Sequence, residues 1–230
     1  MVKALDHRIR VAAIRREEMK LHLLFSGLVL ASKTSIHELE VEDVVRQAQV
    51  SRGSFYNYFP TLSALYDVLL TQVMKELSDG IDGLKPQSPD VAIRLASTTR
   101  KLMRLVVDFP ELGQFLKQIQ WPSRGPDLDV FNNIINNVES GIKEGRFTSM
   151  PNSIGVNIVI GSIIGGIHAM LLESPATGYE DKVANQFLLG LGVDRISASQ
   201  ISQMTLPPNS GFPATGILGK LLELSVSEKT

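Results

Sequence analysis

The chain has 230 residues, 43% of them apolar and 20% charged, with 23 Lys/Arg against 24 Asp/Glu and no cysteine. That is the composition of a globular protein with room for one large domain, or for a small one and a larger one. Without cysteine, disulfides, a thiolate nucleophile and thiolate-ligated zinc are excluded. The net charge of −1 hides an asymmetry: residues 1–75 carry ten Lys/Arg against eight Asp/Glu, a net of +2, and residues 76–230 carry a net of −3.

The segment ahead of Met19 is charged rather than apolar, so it carries no leader pattern. Its Lys3, Arg8, Arg10, Arg15, Arg16 and Lys20 outnumber Asp6, Glu17 and Glu18. A first helix is expected over 19–32, where Leu24, Leu28 and Ala31 recur at helical spacing. A polar link over 33–40 follows. Over 41–48, Val41, Val44, Val45 and Ala48 fall on one face of a second helix, and Glu38, Glu40, Glu42 and Asp43 collect at its start, where the helix dipole favours negative charge. Gln49-Val50-Ser51 reads as a tight turn, with Ser51 as the N-cap of a short third helix that ends in aromatics. Helix, turn and short helix are the layout of a helix-turn-helix, whose second helix enters the major groove of DNA. Thr61 looks like the next cap, with Leu62, Leu65, Leu69, Val73 and Leu77 on the apolar face of a fourth helix.

The Gly-, Pro- and Ser-rich stretch over 79–89 marks a boundary. Beyond it, helices are expected over 90–108, 111–120, 127–144, 153–173, 179–191 and 196–204. They are separated by Phe109-Pro110, a loop from Trp121 to Pro126, and a break at Gly145-Arg146-Phe147. Strand-like alternation is scarce. The expected fold is all-α: a helix-turn-helix DNA-binding domain over 1–78 with a basic extension, a larger helical ligand-binding and dimerisation domain over 79–206, and a tail over 207–230 opened by Pro207-Pro208. The run 154–172 is long enough to cross a bilayer, but Asn157, Ser162 and His168 interrupt it and Lys/Arg flanks are missing. It is expected instead to be buried in a soluble assembly, with no membrane partner. Gly161, Gly165 and Gly166, with Ser162 and Ala169, would let another helix approach closely. Together with 179–191 this run would build a four-helix homodimer interface.

Helices one to four resemble the DNA-binding domain of the TetR family of bacterial repressors. The residues that carry the resemblance are Val41-Glu42-Asp43-Val44-Val45, Ala48-Gln49-Val50-Ser51, Arg52-Gly53-Ser54-Phe55-Tyr56-Asn57-Tyr58-Phe59, and Leu65 in the next helix. Beyond residue 80 it rests on helix order, the Phe109-Pro110-Glu111-Leu112 turn and the Gly145-Arg146-Phe147 break. The resemblance implies an all-helical homodimer, a ligand pocket in the larger domain, and release of the operator when ligand binds. Four positions depart from the family pattern. Gln49 replaces the usual Gly of the turn, Leu62 a frequent Lys, Glu40 a small hydroxyl residue that faces phosphate, and Ser35 a Gly that often closes helix one.

On the expected DNA face, Arg52 has two readings of equal weight: a bidentate contact to guanine O6 and N7, or a contact to phosphate. Gly53 allows close backbone approach, whether to another helix or to DNA. Ser54 can bond phosphate or a base edge, Asn57 the backbone or adenine, and Tyr56 and Tyr58 can reach phosphates while their rings pack on the domain. Phe55 and Phe59 are expected in the core. Arg8, Arg10, Arg15 and Arg16 belong either on flanking DNA or on an exposed extension of helix one.

In the larger domain Leu102, Leu105, Val106, Phe109, Phe115, Trp121 and Phe131 would line an apolar pocket, with His168 as a polar contact. Each of them is also ordinary core material. His7, His22, His37 and His168 have no metal-ligand spacing, so no metal is expected. No nucleophile elbow, zinc-protease, P-loop or dinucleotide motif is present, which argues against an enzyme with a catalytic residue or a cofactor. The expected function is a cytoplasmic, ligand-responsive transcriptional regulator, most often a repressor. Its partners would be double-stranded DNA with a palindromic operator, a small apolar or amphipathic effector and a second copy of the chain. The alternative is an all-helical interaction protein or enzyme whose helix-turn-helix is structural.

Overall fold

Helix follows helix, and there is no strand among the residues that the computed structural model describes, namely 2–82, 88–118, 129–173, 177–206 and 215–227. In chain order the helices are α1 (Val2–Ala31), α2 (Val41–Ala48), α3 (Arg52–Tyr56), α4 (Leu62–Asp82), α5 (Val91–Asp108), α6 (Pro110–Lys117), α7 (Asp129–Lys143), α8 (Asn152–Glu173), α9 (Tyr179–Gly190), α10 (Arg195–Ser202) and α11 (Gly216–Ser227). They form two compact units, one of residues 1–73 with 214–230 and one of residues 74–213.

In the first unit α1 begins at Val2 rather than near Met19. Residues 2–18 are rich in Ala, Arg, Leu, Lys and Glu, good helix formers that need no buried face, and residues 12–18 are all exposed. The buried part of α1 starts at Leu23 and includes Leu24, Leu28 and Ala31; Val44 and Ala48 of α2, Phe55 and Phe59, and Leu65 and Leu69 of α4 complete the core. Two polar contacts set the register. His22 Nε2 lies 2.8 Å from the carbonyl oxygen of Ala48, and Tyr66 donates its hydroxyl to the carbonyl of Gly27 at 3.3 Å.

The region expected as a separate tail supplies a helix to this unit. Ile217, Leu218 and Leu221 of α11 are buried, α11 packs on α1, and Lys220 Nζ stands 5.9 Å from the centre of the Phe25 ring, a cation–π distance. The first part of the expected tail, residues 207–214, lies outside the described residues.

In the second unit α5 is the hub, packed by α6, α7, α8, α9 and α10. Asp90 caps it, accepting the Ala92 N–H at 2.8 Å. Pro110 sits in the first turn of α6, where a missing N–H costs nothing. The expected break after α7 is built around Gly145, whose φ of +72° suits glycine. Phe147 then folds back, buried, over the face that Gly141 leaves open. α8 has the length and mean hydropathy (1.9 over 152–172) of a membrane span, with a third of that window buried. One side packs Val159, Ile160 and Ile163 into the core, while Ile154, Gly161, Ile164, Gly165, His168 and Leu172 are exposed.

Candidate nucleic-acid interface

The turn between α2 and α3 is closed by Gln49, at φ 53° and ψ 42° the one non-glycine residue in the left-handed region among the described residues. Its N–H bonds to the carbonyl of Arg46 at 3.2 Å and that of Val50 to Val45 at 3.1 Å, the paired bonds that end a helix around a left-handed residue. At the other end of α2, Asp43 reaches back to accept the Glu40 N–H at 2.9 Å, while Glu40 itself is exposed. Ser51 caps α3, accepting the Ser54 N–H at 3.1 Å and sharing a hydroxyl–hydroxyl bond of 2.9 Å with Ser54. Ser35, the fourth departure, caps a 3-10 turn over Ile36–Glu38.

Fixed in this way, α3 turns one side inward. Phe55 is fully buried, with Tyr56 edge-on at 5.5 Å and Phe59 tilted at 5.9 Å. Arg52, Gly53, Tyr56 and Asn57 are exposed, and Ser54 and Tyr58 half-buried. Gly53 has an ordinary helical φ, and a Cβ built on it would meet only Ser51 Oγ, at 3.8 Å. Nothing in the chain's own packing therefore requires glycine there. Of its two readings, close approach to another helix of the same chain is removed and approach by an external body remains.

Arg52 forms an ion pair across the turn. Its Nη1 lies 2.7 Å from Glu42 Oε1 on α2. The hydrogen bond to Tyr56 and then the charge of Glu42 raise its pKa above the usual guanidinium value, so it is a cation at every working pH. Arg10, Arg15 and Arg16 are exposed along α1, the extension reading of that segment, and the side chain of Arg8 lies outside the described residues.

The residues expected to line a ligand pocket divide. Leu105, Phe109 and Phe115 are each buried, and the Phe109 N–H bonds to the Leu105 carbonyl at 2.8 Å where α5 passes into α6. Trp121 and the side chain of Phe131 lie outside the described residues, and His168 is exposed on α8. Of the three glycines expected to smooth α8, Gly161 and Gly165 have open space around them, whereas Gly166 faces inward on Met103 and Val183.

Two ion pairs linking α5 to α9 were not singled out from sequence. Buried Arg100 donates from Nε to Asp181 at 2.6 Å and from Nη1 to the Met204 carbonyl at 2.8 Å, and Arg104 Nε donates to Glu180 at 2.6 Å. Their partners lie 81 and 76 residues apart in sequence, beyond the reach of any local spacing signal.

Residues 24–69 match the family model of bacterial regulatory proteins, tetR family. No curated protein sequence matches the chain significantly. Among solved structures, the chain is similar to RolR in complex with resorcinol (22% identity, 86% of this chain and 100% of that one, TM-score 0.63). It is also similar to a tetR family transcription regulator from Shewanella sp. PV-4 (15%, 75% and 97%, TM-score 0.66). A third is the transcriptional regulator FadR from Bacillus subtilis in complex with stearoyl-CoA (14%, 74% and 96%, TM-score 0.62). At these identities the likeness establishes the fold.

Proposed function

We propose, from a first unit whose residues 24–69 belong to the tetR family of bacterial regulatory proteins, that the chain is a ligand-responsive transcriptional regulator acting as a repressor. The observation that carries this reading is the outward face of α3. Arg52, Gly53, Tyr56 and Asn57 stand exposed beside one another, with a glycine that the protein's own packing does not need. Such a face suits close approach of a DNA backbone and bonding to base edges in the major groove.

One such face is small, and a twofold pair of them doubles the recognised sequence and makes the operator palindromic. The exposed side of α8 is the surface for that pairing. Its apolar and small residues recur at helical spacing from Ile154 to Leu172 without a formal charge. The effector is a small apolar or amphipathic molecule taken up by the second unit, where Leu105, Phe109 and Phe115 form an apolar corner. Resorcinol and stearoyl-CoA in structures of this fold support that class. It releases DNA by favouring a dimer state that binds the operator less well. Such a protein works in the cytoplasm, where the operator is.

The test is selection of sites from a randomised duplex pool with purified protein at two salt concentrations. The expected result is a palindromic consensus whose affinity falls steeply with salt. No enrichment even at low salt would overturn the reading.

A further inference from the structure

The ion pair between Glu42 and Arg52 adds little to the stability of the fold. Their side chains are 41% and 63% exposed, and ion pairs this open to water contribute little to stability. A carboxylate on that surface also works against an interface that must meet phosphates. The neighbouring Asp43 has a structural task, closing the start of α2 on the Glu40 N–H. Glu42 makes no such bond: beyond complementing the dipole of α2, its contact is with Arg52.

What the contact does to Arg52 is geometric. A free arginine on an exposed helix start swings to the nearest phosphate, a contact that carries no sequence information. Here Glu42 on α2 lies 2.7 Å from Nη1, so the guanidinium at the start of α3 is drawn back across the turn. One arm of the planar fork is thus engaged by α2, with N–H groups left over. A fork held in one orientation is what bidentate bonding to guanine O6 and N7 requires.

We propose that Glu42 is a specificity-determining positioning residue, which commits Arg52 to one guanine in each half of the operator and keeps it off the phosphates. This rests on the DNA-binding reading given above.

The experiment compares the full-length protein with Glu42→Gln, Arg52→Ala and the double variant, first by site selection and then by affinity for the selected duplex with each position substituted in turn. In Glu42→Gln the preference for one guanine per half-site, about five- to 150-fold in the parent, collapses toward none. Binding to unrelated duplex tightens, and its salt dependence steepens by about one unit of slope. In the Arg52→Ala background, Glu42→Gln leaves that position unchanged, because the two residues act as one unit. Unaltered preferences in Glu42→Gln, or an effect that survives in the Arg52→Ala background, would overturn the inference while the parent's own consensus keeps the DNA-binding reading. A parent protein that selects no site sinks both.

Discussion

Arg146 and Asp90, 56 residues apart, meet as a two-pronged ion pair: Nε donates to the two carboxylate oxygens at 3.0 and 3.2 Å, and Nη2 donates at 3.0 Å. The same carboxylate caps α5 through the Ala92 N–H. The break after α7 is thus tied to the start of the central helix of its unit. Burial pushes the Asp90 carboxyl up, but the Arg146 hydrogen bond, the Ala92 N–H and the Arg146 charge outweigh it and hold the pKa below its usual value. A depressed carboxylate stabilises the fold above the unfolded pKa, and that stabilisation is lost as pH falls through the folded one. Asp90→Ala should cost about 1–2 kcal/mol at neutral pH. In urea titrations the gap to the parent should hold down to the ordinary carboxylate range and close in stronger acid. A gap independent of pH would refute the pairing.

Gln49 holds a backbone conformation that costs an L-residue roughly 1–2 kcal/mol. Gln49→Gly removes that cost but gives the unfolded chain more freedom, worth about 0.4–1 kcal/mol. The net expectation is a gain of about 0.5–1 kcal/mol, whereas Gln49→Val, β-branched, should lose at least as much. Thermal denaturation of both variants decides it, and equal melting temperatures would show that the turn is not strained.

Gly53 separates fold from function. A methyl group there meets only Ser51 Oγ at ordinary contact distance, and alanine is about 0.5–1 kcal/mol better than glycine within a helix. Gly53→Ala should therefore melt no lower than the parent while binding its selected duplex at least tenfold more weakly. Undiminished affinity would mean that nothing external comes close to this face.

Arg100 is, with Lys101, one of two adjacent buried cations of the second unit, and Asp181 is its carboxylate. Removing one partner of a buried pair leaves an uncompensated charge, typically a loss of about 3–5 kcal/mol. Asp181 is 28% exposed and the Met204 carbonyl remains bonded to the guanidinium, so Asp181→Ala should cost about 2–4 kcal/mol. Arg100→Met combined with Asp181→Leu should recover most of it. Denaturant unfolding of the single and double variants measures both, and a double variant no better than the single would argue against the charge as the cause.

α11 gives the first unit Ile217, Leu218 and Leu221, each buried and each worth about 1.5–3 kcal/mol of apolar burial. A chain stopped after residue 206 should lose amide-exchange protection in α1 and α2 while α5 and α9 keep theirs. Equal protection in α1 would mean that α11 rests on the unit without supporting it.

The parts legible in the sequence are those with local causes. The Val41–Ala48 helix and the Ser51 cap follow from spacing and side-chain chemistry a few residues apart, and so do the inward Phe55 and Phe59. Where the cause is distant or the signal symmetric, reading fails. α8 is apolar on every side, so periodicity could not choose a face, and His168, expected against a ligand, is exposed. The N-terminal part of α1 lacks a sequence signal because residues 12–18, exposed and mostly charged, offer no buried stripe to detect. The buried face of α11 has its partner in α1, nearly two hundred residues earlier, which no local pattern reveals. Glu42 was read as complementing the dipole of α2, a correct local reason that concealed its contact with Arg52.

The first unit is discontinuous in sequence: the chain leaves it after residue 73 and rejoins it at 214. During synthesis the second unit is therefore complete, and free to fold, before α11 leaves the ribosome. Until then α1 has an uncovered apolar side. A chain that stalls late in translation thus carries a completed second unit and a first unit still lacking one of its core helices.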